Sequence, residues 1–196
     1  MKIIADAFGG DNAPLAILKG CETAVRELGG YHPPHGATRQ KSRPARRKVG
    51  FPSTEMEILH APDVMGMEDA PTSIAKEKGN TSMAIGLKAL AEGRGDAFVS
   101  AGSTGALVAG ATLLVKRIRG VRRAAIASVL PSNEAPFLLM DCGANVECTA
   151  QMLDQFGAMG SFYMQKVLGV EQPRVGLAIS ARKKPRAGRS AGGLWA

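Results

Sequence analysis

The chain has 196 residues, of which 45% are hydrophobic; this suffices for one domain or two small ones and excludes collagen-like or fully disordered proteins. Its net charge of +8 arises from 25 lysines and arginines against 17 acids, a balance typical of polyanion binding. Eleven of the basic residues lie in two tracts without any acid, residues 31–49 and 182–196. The rest carries 14 basic and 17 acidic side chains, a net charge of −3, so the body of the chain is mildly acidic and we expect no nucleic-acid partner.

The N-terminal segment, residues 1–30, is predicted to be a first βα unit. The apolar run 2–7 predicts a strand, the glycines after it a turn, and the periodic apolar residues over 15–28 a helix. We expect Asp11 or Asn12 to cap this helix and the glycine pair at 29–30 to end it. Residues 31–49 lose the apolar pattern and are predicted to be irregular.

Strands and helices alternate through the body of the chain, residues 50–179. Strands are predicted over 56–61, 96–100, 124–130, 137–141 and 174–179, and helices over 80–92, 106–118 and 150–168. Residues 124–130 and 137–141 have the length and flanks of buried strands. The alternation predicts an α/β fold with a doubly wound, mostly parallel sheet and helices on both faces. Residues 180–196 are predicted to be a basic tail.

Residues 97–115 contain no charged side chain and approach the length of a membrane span. The cluster Gly102–Gly105 instead predicts a strand, a turn and a helix. The N-terminus meets an acid after three apolar residues, unlike a secretory signal, and the three cysteines form an odd number without zinc spacing. We therefore expect a cytoplasmic protein with neither a metal nor a cofactor.

Three predicted turns, residues 6–14, 100–106 and 140–146, join glycines to the approach of a helix. Glycine lets the backbone come close to a ligand, and a helix N-terminus presents free N–H groups that favour an anion. None of the turns is a Walker A loop or a dinucleotide fingerprint, and ordinary βα turns are an equally simple interpretation. Because ligands of doubly wound sheets lie at the carboxyl ends of the strands, these turns are the candidate site.

The three turns read Asp6-Ala7-Phe8-Gly9-Gly10-Asp11, Ser100-Ala101-Gly102-Ser103-Thr104-Gly105-Ala106 and Asp141-Cys142-Gly143-Ala144-Asn145-Val146. In these motifs the chain resembles the bacterial phosphate acyltransferase (PlsX) family of phospholipid synthesis, over residues 1–30 and about 50–177. It departs at Phe8, where the family usually has Met, and at Ser103, where it usually has Asn. The resemblance implies a fold similar to isopropylmalate dehydrogenase and phosphotransacetylase.

The resemblance also implies an activity: transfer of a fatty acyl group from acyl carrier protein to inorganic phosphate, giving acyl phosphate. It implies catalytic or orienting roles for Asp6, Asp11, Asp141 and Asn145. Binding of phosphate and substrate would fall to Gly9, Gly10, Asn12, Lys78, Ser100, Gly102, Ser103, Thr104, Gly105 and Gly143. Helix capping remains the alternative for Asp11, and a solvated helix end the alternative for Lys78.

A basic stretch lies inside the resembling part of the chain: Lys116, Arg117, Arg119, Arg122 and Arg123. Acyl carrier proteins are acidic, so we expect this stretch to dock one by charge attraction. A solvated helix end is the alternative. The family further implies a homodimer, peripheral association with the inner face of the membrane, and a membrane glycerol-3-phosphate acyltransferase that consumes the product.

The two basic tracts depart from the family. Where the family usually continues after residue 177 with an acidic run, this chain has a basic one, and codons for residues 178–187 exist that spell the family-like run in another frame. Residues 36–44 permit the same construction. We hypothesise that both tracts are frame-shifted readings, which predicts a poorly folded or inactive chain and which the coding DNA tests.

Two other function classes stay open. One is an oxidoreductase or another transferase on the related dehydrogenase-like fold, although the chain has neither a dinucleotide fingerprint nor a catalytic Tyr/Lys pair. The other is a nucleic-acid-binding protein that uses the basic tracts as arms, although few aromatic side chains accompany them.

Overall fold

A computed structural model of the chain describes residues 1–28 and 58–178. The elements of these ranges, in chain order, are β1 (Ile3–Ala5), α1 (Leu15–Leu28), a 3-10 helix (Pro71–Ala75), α2 (Ser82–Ala91), β2 (Ala97–Val99), α3 (Thr104–Gly110) with a π-helical continuation (Ala111–Val115), β3 (Ala127–Leu130), β4 (Phe137–Met140) and α4 (Ala150–Lys166). The basic tracts at 31–49 and 180–196 lie outside the described residues.

Strands β1 and β2 form a parallel pair in which Ile3 lies opposite Ala97 and Ala5 opposite Val99. The backbone N–H of Asp6 extends the ladder by donating to the carbonyl of Val99 at 2.8 Å. Because parallel strands end at the same edge, the turns that follow β1 and β2 lie side by side. This part of the structure confirms the predicted strand–turn–helix order around both turns.

Helix α2 covers the parallel pair and begins and ends as predicted. Thr81 caps its N-terminus by accepting a hydrogen bond from the N–H of Ala84 at 3.4 Å, and Gly93 follows its last turn with φ of 73°. Its buried face, centred on Met83 and Leu87, packs against Ile74. The remaining buried members of this core are Met65, Ala84 and Ala106.

Strands β3 and β4 do not continue the parallel sheet but form an antiparallel hairpin, with Ala127 opposite Met140 and Leu130 opposite Phe137. The physical reason is the short connection, residues 131–136, because a parallel crossover needs about a dozen residues or more. The expectation that both strands are buried is wrong: exposed and half-buried residues alternate along them. Helix α4 packs on the hairpin beside β4, whereas the side chains of Val129, Phe137 and Leu139 are exposed.

Three predicted elements differ from the structure. The helix predicted over 106–118 ends at Val115, because Lys116 adopts a positive φ of 76° that a right-handed helix cannot continue. Residues 58–61 and 174–178 form no strand, since neither segment has a partner strand in the described ranges. The rest of those two predicted strands, 56–57 and 179, lies outside the described residues.

Residues 97–115, whose lack of charge raised the question of a membrane span, form β2, the turn after it, and α3 with its continuation. No helix within residues 1–28 and 58–178 combines the length and the apolar character needed to cross a bilayer.

Candidate active site

The first two glycine turns meet at the carboxyl ends of β1 and β2. A Cβ added to Gly9 would lie 2.5 Å from Ser100 Oγ and 2.8 Å from the backbone N of Gly102. Gly10 adopts φ of 105°, and a Cβ there would lie 3.1 Å from the carbonyl oxygen of Ala101. Both glycines are therefore required for the two turns to touch, one by the close approach and the other also by its backbone conformation.

Asp6 lies beneath this contact with only 2% of its surface exposed. Its Oδ1 accepts hydrogen bonds from Ser82 Oγ at 2.6 Å and from the N–H of Phe8 at 3.2 Å. Its Oδ2 accepts from Ser100 Oγ at 2.9 Å. The carboxylate predicted to act in catalysis thus accepts hydrogen bonds from three parts of the chain. Two of the donors, Phe8 and Ser100, belong to the two turns.

Several backbone N–H groups of the two turns remain open. No described residue accepts a hydrogen bond from the N–H groups of residues 10–12 in the first turn or 103–105 in the second. The N–H of Gly102 is engaged instead, since it donates to Ser100 Oγ at 3.1 Å. Open donors at two touching turns are suited to an anion, because each N–H carries a partial positive charge and lacks a partner.

The side chains of the second turn divide between structure and surface. Ser103 is buried and caps α3, its hydroxyl oxygen accepting from the N–H of Ala106 at 3.4 Å, so this hydroxyl is engaged within the protein. Thr104 and Gly105 are exposed beside it.

In the first turn Asp11 and Asn12 are exposed, and neither side chain makes a hydrogen bond within the described part of the chain. The expectation that one of them caps α1 is wrong, because the helix begins only at Leu15 and neither side chain accepts a hydrogen bond from its N–H groups. Asn12 contributes its backbone carbonyl, which accepts from the N–H of Ala16 at 3.1 Å. Both side chains are left free to meet a ligand.

The third turn is built differently and follows the β3–β4 hairpin. Both oxygens of Asp141 are occupied by N–H donors: Ile126 at 2.7 Å and Ala144 at 3.2 Å on Oδ1, and the backbone and side-chain amides of Asn145 at 2.7 and 3.1 Å on Oδ2. Partial burial acts to raise the pKa of Asp141, but these hydrogen bonds outweigh it and hold the pKa below its usual range.

Asn145 also donates to the carbonyl of Ala124 at 2.9 Å, so Asp141 and Asn145 together fasten the turn to the segment that precedes β3. Gly143 adopts φ of 109° and is exposed, with open space where its Cβ would be. No hydrogen bond links this turn to the Asp6 network in the described ranges. The structure thus brings together the first two of the three predicted turns.

Lys78 lies at the approach to α2 and is paired with two acids. Its Nζ is 3.2 Å from Asp69 Oδ2 and 3.7 Å from Asp63 Oδ2. The hydrogen bond with Asp69, helped by the charge of Asp63, raises the pKa of Lys78. The N–H of Gly66 and, after it, Lys78 lower the pKa of Asp69. The charge predicted to neutralise phosphate is thus already balanced within the protein.

The predicted docking residues form an exposed loop rather than the last turn of a helix; we call residues 116–123 the basic loop. Arg117 donates from its guanidinium to the carbonyl of Arg122 at 2.7 Å. Gln155 of α4 holds the loop from the other side, accepting from the N–H of Arg122 at 3.0 Å and donating to the carbonyl of Gly120 at 2.9 Å. Ile118 is 80% exposed at its centre. The loop therefore has a fixed backbone and a mixed basic and apolar surface.

Ser82 is the site residue that sequence analysis missed. Its only signal is a second hydroxyl residue directly after the capping Thr81, and nothing in the sequence links it to Asp6, 76 positions away. Within the described ranges no group of three or more His, Cys, Asp or Glu side chains could hold a metal ion.

Comparisons with known proteins show the family of the chain and its fold. A family model described as "Fatty acid synthesis protein" matches residues 1–182. Proteins named "Phosphate acyltransferase" from Acetivibrio thermocellus and from Clostridium botulinum strain Loch Maree are 42% and 41% identical over 177 residues, 90% of this chain and 52% and 53% of theirs. The chain thus spans about half the length of these relatives.

Among solved structures, a phosphotransacetylase from Streptococcus pyogenes superposes with a TM-score of 0.63 at 19% identity. The match covers 87% of this chain and 55% of that one. At this identity the likeness concerns the fold, and it confirms the predicted α/β class.

Proposed function

The chain belongs to the fatty acid synthesis protein family, and from this membership we propose that it serves the transfer of a fatty acyl group from an acyl carrier protein thioester to inorganic phosphate. The observation that carries the proposal is the contact between the two glycine turns, which presents open N–H groups at residues 10–12 and 103–105. The names of the relatives agree with it, since they are phosphate acyltransferases.

Phosphate is suited to a site without a strong general base. Near neutral pH a substantial fraction of inorganic phosphate is the dianion, which can attack the thioester carbonyl directly. A phosphate oxygen forms a bond to the carbonyl carbon, the carbon–sulfur bond breaks, and the thiolate leaves and takes a proton from water. A thiol pKa of about 8.5 makes this a good leaving group.

The protein then has two tasks: to hold phosphate in line with the thioester and to stabilise the carbonyl oxygen as it gains charge. We assign phosphate to the open N–H groups of both turns, because the dianion needs the larger number of donors. Thr104 and Asn12, both exposed at this edge, are placed to add side-chain hydrogen bonds. Asp6 is assigned a positioning role, because it accepts hydrogen bonds from both turns. The exposed Asp11 is assigned to the prosthetic arm of the acyl carrier protein, since its carboxylate would repel phosphate.

We further propose that the basic loop docks the acyl carrier protein. Lys116, Arg119 and Arg123 are exposed and make no ion pair with any acid in the described part of the chain, so their charge is available to an acidic partner. Ile118 adds an apolar contact at the centre of the same surface. Homodimerisation, peripheral membrane association and product transfer to a membrane acyltransferase are extended to this chain as family properties.

The experiment that tests the proposal measures acyl phosphate, trapped with hydroxylamine, from an acyl carrier protein thioester with phosphate varied and sulfate as the control anion. The same assay on a version of this chain with both tracts in the family-like reading frame shows what the two basic tracts change. We expect product that saturates with phosphate and not with sulfate. Thioester loss that is indifferent to phosphate in both versions would remove the proposed function.

A further inference from the structure

We propose that Ser82 is a positioning residue: through Asp6 it sets the relation between the two glycine turns and thereby the affinity for phosphate. This inference rests on the proposed function and deepens it. Ser82 is the first residue of α2, and only 2% of its surface is exposed.

The hydrogen-bond directions follow from the number of protons available. An ionised carboxylate only accepts, so the hydroxyls of Ser82 and Ser100 must both donate to Asp6. The single proton of Ser100 is then committed, and its oxygen lone pair accepts from the N–H of Gly102 at 3.1 Å. Asp6 also accepts from the N–H of Phe8. One carboxylate thus orients the first turn through Phe8 and the second through Ser100.

Ser82 supplies what neither turn can supply. Without it Oδ1 of Asp6 would keep only the longer bond to Phe8, at 3.2 Å, while the carboxylate stays buried. The carboxylate would then be free to rotate, and rotation would also loosen Ser100. Because Gly9 already packs within van der Waals distance of Ser100 and Gly102, a small movement of Asp6 changes the separation of the two turns.

The neighbouring Thr81 offers a matched control. It is also fully buried and also carries a hydroxyl at the start of α2, but that hydroxyl donates to the carbonyl of Lys78 at 2.8 Å and caps Ala84. Thr81→Ala therefore removes a buried hydroxyl from the same helix end without touching Asp6. Loss of stability is common to both substitutions, whereas the positioning effect belongs to Ser82 alone.

The test compares Ser82→Ala, Ser82→Thr and Thr81→Ala in the full chain. Phosphate dissociation constants are measured by 31P NMR, and amide hydrogen exchange is measured on peptides that cover residues 6–12 and 100–106. We expect Ser82→Ala to weaken phosphate binding roughly ten-fold, the effect of losing one hydrogen bond to a charged group. We also expect faster exchange in both turns. Ser82→Thr, which keeps the hydroxyl, restores both readouts, and Thr81→Ala lowers the melting temperature without changing phosphate affinity.

Phosphate binding by Ser82→Ala that equals the unaltered chain, or unchanged exchange in the two turns, would overturn the inference. So would an unaltered chain that binds no phosphate, or a Thr81→Ala chain that loses phosphate affinity to the same extent. A chain that binds phosphate in a Ser82-dependent way but forms no acyl phosphate would refute the proposed function and leave the positioning role standing.

Discussion

Gly9 has no room for a side chain, because the atoms around it belong to the partner turn and to Asp6. Its added Cβ would lie 2.8 Å from Asp6 Oδ2 as well as within 3 Å of Ser100 Oγ and the Gly102 nitrogen. All three atoms take part in hydrogen bonds and the Gly102 nitrogen also belongs to the backbone, so none can move without breaking an interaction. The site's geometry therefore depends on the absence of one methyl group.

Gly9→Ala is expected to lower the free energy of unfolding by about 1–3 kcal/mol through overpacking and to raise the KM for phosphate at least several-fold. Denaturant unfolding and the acyl phosphate assay measure the two effects. The control is Gly20→Ala in α1, where a Cβ meets nothing within 4 Å, and which should be neutral or stabilising by up to about 1 kcal/mol. Equal effects of the two substitutions would contradict the described contact.

Asp141 gives a pH-dependent prediction. Its pKa is lower in the folded chain than in the unfolded one, so its contribution to stability is complete above the unfolded value of about 3.9 and is lost as the pH falls through the folded value. Asp141→Asn should therefore cost about 1–2 kcal/mol near neutral pH, allowing for partial exposure, and progressively less below about pH 4.

Urea unfolding of the Asp141→Asn chain between neutral pH and about pH 3 checks this dependence. Asp154→Asn, an exposed position on α4, is the control and should change stability by less than about 0.5 kcal/mol. A loss of stability in Asp141→Asn that stays constant across this pH range would show that the N–H donors do not stabilise the carboxylate charge.

Among the elements, α2 supports the site by packing against both β2 and α3. Leu87 is 2% exposed and packs against Gly110 of α3 so closely that a Cβ there would lie 2.5 Å from its Cδ1. Gly86 lies in the same way against the ring of Phe98 in β2. Small residues on both sides thus let α2 approach β2 and α3, which fixes the two strand ends that carry the turns.

Leu87→Ala should lower the free energy of unfolding by about 2–5 kcal/mol, since it leaves a cavity where α2 packs against α3. Leu113→Ala is the matched control, because that leucine is 48% exposed, and it should cost less than about 1 kcal/mol. Thermal unfolding of both variants compares them directly. A Leu87→Ala chain as stable as Leu113→Ala would place the core elsewhere.

The elements also show what sequence reasoning could reach. Local signals predicted α2 correctly, because Thr81 and Gly93 cap it through bonds to near neighbours in the chain. The same reasoning failed for β3 and β4, because their apolar runs are as compatible with buried strands as with a half-exposed hairpin. The short link between them permits only the antiparallel hairpin. Ser82 was missed because its role depends on the hydrogen bond to Asp6, a residue that only the fold brings near.

For the whole molecule, the net charge of +8 does not describe the folded body. The tracts at 31–49 and 182–196 hold eleven basic residues and no acid, which exceeds the whole net charge, and within the described ranges the basic loop is a concentrated basic surface. Its backbone is fixed by Gln155, so its charges keep a defined spacing. This favours recognition of one acidic partner over unspecific attraction.

Arg119→Glu combined with Arg123→Glu should raise the KM for the acyl carrier protein roughly ten-fold or more at low salt while leaving the KM for phosphate unchanged. Lys19→Glu combined with Lys166→Glu changes the net charge equally on other exposed helix positions and serves as the control. Steady-state kinetics at two salt concentrations distinguish them. An unchanged KM for the carrier in the arginine variant, or an equal rise in both, would argue against docking at the basic loop.

The central claim is that phosphate held by the two glycine turns attacks the thioester. It is tested most directly by running the reaction with phosphate that carries four 18O atoms and measuring the mass of the acyl phosphate by mass spectrometry. If a phosphate oxygen forms the new bond, the product retains all four labelled oxygens, and Gly9→Ala lowers its yield while Gly20→Ala does not. Product with a bridging oxygen from elsewhere, or no phosphate-dependent product from the unaltered chain, would contradict the account.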